Sequence, residues 1–156
     1  MNCVESFNFK TGASALFELE ELKHPANFRR YFLGGPVEYE VHTDSGTLRV
    51  RTESNFIFDG RSGPSIVDLY APNLGSLEER VAWHMHDCLG YAQSLDFRDT
   101  NLMLKYFLRD ICGYRRTKAE LIRIAVSLSK SWYGFPEPGD EWFNNVGKVL
   151  TEWRPK

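Results

Sequence analysis

Val37-Glu38-Tyr39-Glu40-Val41-His42-Thr43-Asp44-Ser45-Gly46-Thr47-Leu48-Arg49-Val50-Arg51 is the stretch on which the fold class turns. On both sides of Thr43-Asp44-Ser45-Gly46, apolar and polar residues alternate, and that period sends successive side chains to opposite faces of a strand. The four residues between are turn formers. The pattern predicts a β-hairpin over 37–51 with one face in water.

Working outward, Phe7-Asn8-Phe9 and Ala15-Leu16-Phe17-Glu18-Leu19 read as weaker strands. His24-Pro25 and Gly34-Gly35-Pro36 punctuate a basic, aromatic stretch from Phe28 to Phe32, which the pattern leaves unassigned. Beyond Leu77 the period changes to that of helices. Ser76 with Glu79 makes a capping box, Thr117 with Glu120 makes another, and Asp99 or Thr100 caps a helix between them. Gly113 and Gly134 suit the intervening helix ends. A fourth helix is expected from Asp140, with Trp142, Val146, Val149, Leu150 and Trp153 on one stripe. The chain therefore reads as a single α+β domain over 1–156, with N-terminal antiparallel strands packed on three to four C-terminal helices. Residues 1–60 are mainly β, 76–153 mainly α, and 135–156 form a C-terminal helical extension.

Composition narrows the function. With 156 residues there is room for one cored domain. Nineteen basic against 21 acidic side chains give a net charge of −2, so no sequence-wide positive field exists to hold phosphates, and no nucleic-acid partner is expected. Uncharged apolar runs such as Ile124-Ala125-Val126 fall far short of the roughly 20 residues that span a bilayer. With no basic-then-apolar leader either, the expectation is a soluble chain without membrane span or secretion signal, intracellular or delivered by an assembly. Cys3, Cys88 and Cys112 are widely spaced and read as buried thiols rather than a zinc clamp or disulfide framework.

Chemistry concentrates in Trp83-His84-Met85-His86-Asp87, inside a predicted helix. An imidazole and a carboxylate suit acid–base work or cation binding. Neighbours on a helix diverge by about 100°, so the main partner of His86 must come from another segment rather than from Asp87. Helical spacing sets His84 on an apolar stripe with Leu77, Val81 and Cys88, which marks it as a core histidine, and sets His86 across the helix beside Ala82, Leu89 and Gly90. Two histidines at i and i+2 diverge, so the pair is a poor zinc site, and packed, hydrogen-bonded imidazoles are the plainer reading. A second group, Phe56-Ile57-Phe58-Asp59-Gly60-Arg61-Ser62-Gly63-Pro64-Ser65, ends a strand in a small polar loop. Asp59 and Ser62 there suit a ligand or cation approached by backbone, and suit a tight corner equally.

These residues carry a resemblance. From Val37 to Gly134 the chain resembles a phage and prophage family, domain of unknown function 1353, which shows a strand pair, then G-F-x-T-D-x-A-S-V-P, A-x-x-H-D-x-L-Y, R-x-x-A-D on a following helix, and a closing amphipathic helix. Asn55 to Pro64 sits on the first motif with Phe, Asp, Ser and Pro retained. Ala82, His86-Asp87 and Tyr91 resemble the second, with Gly90 adding a residue before the tyrosine. Arg98 and Asn101 approximate the third, and asparagine in place of aspartate weakens any His–Asp dyad. The resemblance implies a viral setting, in the virion or the host cytoplasm, and partners among phage or host proteins. It implies no activity and leaves homo-oligomerisation open.

A fainter likeness joins His86-Asp87-Cys88-Leu89-Gly90-Tyr91 and Asp110 to prokaryotic-type phospholipase A2. It implies His86 as the base for a water, Asp87 as ligand of a divalent cation such as calcium, and Asp110 as the carboxylate that orients the imidazole. The calcium loop of that family is missing. Two readings follow. The first is a phage-encoded accessory or virion protein, with no cofactor, whose His-Asp motif braces the packing, with Asp59, Ser62 and Arg98 as binding positions. The second is a small hydrolase in which His86, partnered by Asn101 or Asp110, activates water beside Asp59 or Asp87, with or without a divalent cation.

Overall fold

The computed structural model describes residues 1–23, 29–58, 75–128 and 147–156. In chain order they form β1 (Val4–Thr11), α1 (Ala13–Phe17), β2 (Glu20–Lys23), β3 (Arg29–Phe32), β4 (Val37–Thr43), β5 (Gly46–Thr52), β6 (Ile57–Phe58), α2 (Leu77–Ala92), α3 (Phe97–Asp110), α4 (Arg116–Leu128) and β7 (Val149–Pro155). The α+β expectation holds, with antiparallel strands first and helices after.

The hairpin is the centre of a four-stranded antiparallel sheet ordered β1-β4-β5-β7. Val37, Tyr39, Val41 and Thr43 turn inward from β4, and Gly46, Leu48, Val50 and Thr52 from β5. The register pairs Tyr39 with Val50 and Val41 with Leu48, so the alternation of one strand faces that of the other. On the wet face Arg49 donates to Glu38 at 2.6 Å. The turn closes on Thr43, whose hydroxyl accepts from the Ser45 and Gly46 amides and donates to the Gly46 carbonyl. The unassigned aromatic stretch supplies β3, which lies between β2 and β6 in a second, three-stranded sheet.

Four expectations need correction. Ala15 to Leu19 holds no strand: β1 ends at Thr11, Gly12 follows with a left-handed φ of +83°, and Ala13–Phe17 coils into one short helix. A Cβ on Gly12 would lie 2.2 Å from the Pro36 carbonyl oxygen, so the backbone there is reserved for glycine. The C-terminal helical extension fails at its described end, because 149–155 is strand β7, paired along β5 from Thr52↔Val149 to Gly46↔Pro155. Val149, Leu150 and Trp153 fit helical spacing, but Val149, Thr151 and Trp153 also fit a period of two, and the open edge of β5 selects the second. Trp142 and Val146 of the expected stripe, and Gly134, lie outside the described residues.

The caps form the third correction. Ser76 and Glu79 close a full capping box on α2, as the sequence reads. For α3 the cap is Asp96, which accepts from the Asp99 amide at 2.7 Å, so Asp99 and Thr100 are already helical. Thr117 is likewise inside α4. Gly113, at φ +72°, does follow the end of α3. Arg80 of α2 reaches back to the Phe17 carbonyl at 2.6 Å and to that of Leu16, satisfying acceptors at the end of α1. Of the three thiols only Cys88 is buried; Cys3 and Cys112 are half-buried. Among the described residues no helix is long and apolar enough to cross a membrane.

Candidate functional site

Helix α2 presents its eight buried residues in two directions, and each direction carries one histidine. His84 points into the sheet. It is fully buried, with Nδ1 2.9 Å from the Tyr39 hydroxyl on β4 and Nε2 3.3 Å from the Thr52 hydroxyl on β5. A neutral imidazole offers one donor and one acceptor, and two hydroxyls satisfy both in either tautomer. Phe56 and Phe58 meet the ring edge to face, at 81° and 86°, completing a dry enclosure. Burial pulls the imidazole down to about 3, so it is neutral at physiological pH. Burial, with Cys88 and Asp87 adding to it, also pushes the Tyr39 hydroxyl well above its ordinary range. This is the core histidine of the sequence reading, and its partners were not foreseen. Thr52, a hydroxyl in the inward register with Leu48 and Val50, was the available signal, since a buried hydroxyl needs a partner.

His86 points the other way, into α3. Its ring is 5% exposed, and Nε2 lies 3.0 Å from Oδ1 of Asn101, which is itself 1% exposed. An amide oxygen only accepts, so Nε2 carries the proton and donates. Nδ1 then faces the Asp87 carboxylate, 3.7 Å away and 10% exposed. The partner does come from another segment, as helix direction requires. Asn101 is left with a buried Nδ2, and Trp83 Nε1 and the Thr100 hydroxyl are buried without a hydrogen bond among the described residues.

Asp110 does not meet His86. It follows Asn101 by nine residues, about 13 Å along α3 and half a turn round it, and so faces away. Its carboxylate accepts from the Val4 amide at 2.9 Å and pairs with Arg109, tying α3 to the start of β1. Partial burial pushes that carboxyl up, but Arg109 and the Val4 amide outweigh it and hold it below its usual range. Arg98 is exposed on the first turn of α3. Asp59 and Ser62 lie outside the described residues. Among the described residues no three His, Cys, Asp or Glu side chains gather as a group for a metal ion.

Chemically, then, the described part of the His-Asp motif is an imidazole hydrogen-bonded to an amide through Nε2, with a carboxylate 3.7 Å from Nδ1. A ring so held can brace two helices, or can accept a proton at Nδ1. No protein-family model, curated protein or solved structure matches the chain.

Proposed function

We propose that the chain is a phage-encoded accessory or virion-associated protein in which the His-Asp motif holds the framework together rather than turning over a substrate. The observation that carries this reading is the bonding of the two histidines. His84 ties α2 to β4 and β5, His86 ties α2 to α3, and both rings are buried in doing so. The phage setting rests on the order of the three motifs, from the Phe56 loop through His86-Asp87 to Arg98 and Asn101. Under this reading His86→Ala lowers the melting temperature by several degrees, since an orphaned Asn101 oxygen costs about 1–3 kcal/mol. Mass spectrometry of purified particles against infected-cell lysate separates a virion part from a cytoplasmic effector.

One observation favours the hydrolase reading as the runner-up: Nδ1 of His86 faces a carboxylate 3.7 Å away while Asn101 fixes the opposite nitrogen. Asn101 would then take the orienting role that the resemblance gives to an aspartate, and Nδ1 would be the base, with Asp87 as the residue placed for a divalent cation. A His86→Ala variant that melts like the parent while a hydrolytic or growth phenotype disappears selects this second reading.

A further inference from the structure

The charges of the chain are segregated. Residues 97–128, comprising α3, α4 and the turn between them, hold seven basic and three acidic side chains, a net +4, and the rest of the chain carries −6. Much of this surplus faces one place. Between α3 and α4 lies a groove of about 730 Å³ lined by Lys105, Arg109, Arg116, Thr117, Glu120 and Leu121. Glu120 is bound by Lys105 at 2.8 Å and by Arg123 at 2.6 Å, and these two cations hold it down to about 2, while Asp110 is taken by Arg109. Two carboxylates do not neutralise four cations, and Arg116 stands on the groove wall without an ion pair among the described residues.

The same helix turns an apolar stripe outward beside the groove. Leu121, Ile124 and Leu128 are 44%, 41% and 76% exposed. Their spacing of three and four residues puts them on one face, opposite the buried Ala119, Ile122 and Val126. A lone exposed leucine is ordinary, but three aligned along a cationic groove make a surface of mixed character.

We infer that the α3–α4 groove is a docking site for an acidic, amphipathic segment of a partner protein. The segment's apolar side chains lie on Leu121, Ile124 and Leu128, and its carboxylates meet Arg116, Arg109 and Lys105. Charge complementarity selects an acidic partner. A helical segment laid along the groove covers both the cations and the aliphatic stripe beside them, whereas a nucleic acid would leave the stripe uncovered. The inference goes beyond the bracing role, because this surface is the same whether His86 is a brace or a base.

The test is selection of short random peptides displayed on yeast against the full chain, with counter-selection on Arg116→Glu/Leu128→Ser. Both substituted residues are exposed, and a thermal melt checks the fold of the variant; Lys105→Glu/Leu121→Ser serves as a second pair. The expected result is an enriched pool with Asp or Glu flanking apolar residues at helical spacing. Binding of those peptides should weaken about tenfold in either variant, the scale of losing one anchor residue, and should weaken further with added salt. A pool without acidic bias, or one that binds the variants as well as the parent, overturns the inference. So does tighter binding of the parent to phosphatidylserine vesicles or to duplex DNA, lost in the same variants.

Discussion

His84 and His86 stand two residues apart on one helix and are bonded in opposite directions, His84 to Tyr39 and Thr52 in the sheet and His86 to Asn101 in the next helix. Two residues rotate a helix by about 200°, so an H-x-H pair cannot share a ligand from a regular helix but can serve two interfaces. The divergence that makes the pair a poor metal site makes α2 a tie between layers.

His84 sets a pH dependence. The unfolded imidazole takes up its proton near pH 6.5 and the folded one only near 3, so between these values the unfolded chain binds more protons and falling pH favours it. The contribution is constant above about pH 7 and declines by up to about 1.4 kcal/mol per pH unit below about 6.5. His84→Gln keeps a donor and an acceptor without titrating. Urea unfolding at a series of pH values should show a shallower acid decline in this variant than in the parent; parallel curves would show that His84 is not the group responsible.

The tie between His86 and Asn101 is measurable as a coupling. His86→Ala and Asn101→Ala should each destabilise by about 1–3 kcal/mol, and the double variant should cost less than their sum by about 1 kcal/mol, because the second removal has no bond left to break. Additive losses would mean that the two residues act independently.

Gly46 is held by contact. A Cβ there would lie 2.6 Å from both the Arg154 carbonyl oxygen and the Trp153 ring, so Gly46→Ala should cost about 1–3 kcal/mol as β7 is pushed from β5. Trp153→Leu in the same chain should recover only part of that, since the backbone oxygen stays. Chemical denaturation of the two variants and the double variant decides it.

Truncation after Gly134 removes β7 and exposes the hydrogen-bonding edge of β5. The truncated chain should melt lower and self-associate in gel filtration with light scattering, as unpaired edges do. A truncated monomer with an unchanged melt would mean that β7 contributes little to the sheet.

Where the sequence was legible, one force acted alone. The hairpin needed only its own alternation and turn, and α2 needed only Ser76 and Glu79 at its start. Elsewhere a distant contact decided. Ala15 and Leu16 alternate poorly with their neighbours, and the close approach of Gly12 to Pro36 is what breaks the strand before them. Val149 to Trp153 satisfies both periods, and only the free edge of β5 distinguishes them. At the site, Asn101 was among the named partners of His86, but Tyr39 and Thr52 come from strands far from His84 in sequence. Choosing Asn101 over Asp110 depended on which side of α3 faces α2, and that is fixed by packing rather than by spacing.

Roughly a hundred residues of chain separate Thr52 from Val149, its register partner, so the outer pairing of the sheet is non-local. On a ribosome, β1, β4 and β5 emerge and pair early, and β5 then waits with one side unzipped while α2, α3 and α4 are synthesised. During that interval the nascent chain is open to capture by a neighbouring copy or a chaperone. Slow translation between β5 and β7 would lengthen the exposure, so yield of native protein becomes sensitive to synthesis rate as well as to the stability of the finished fold.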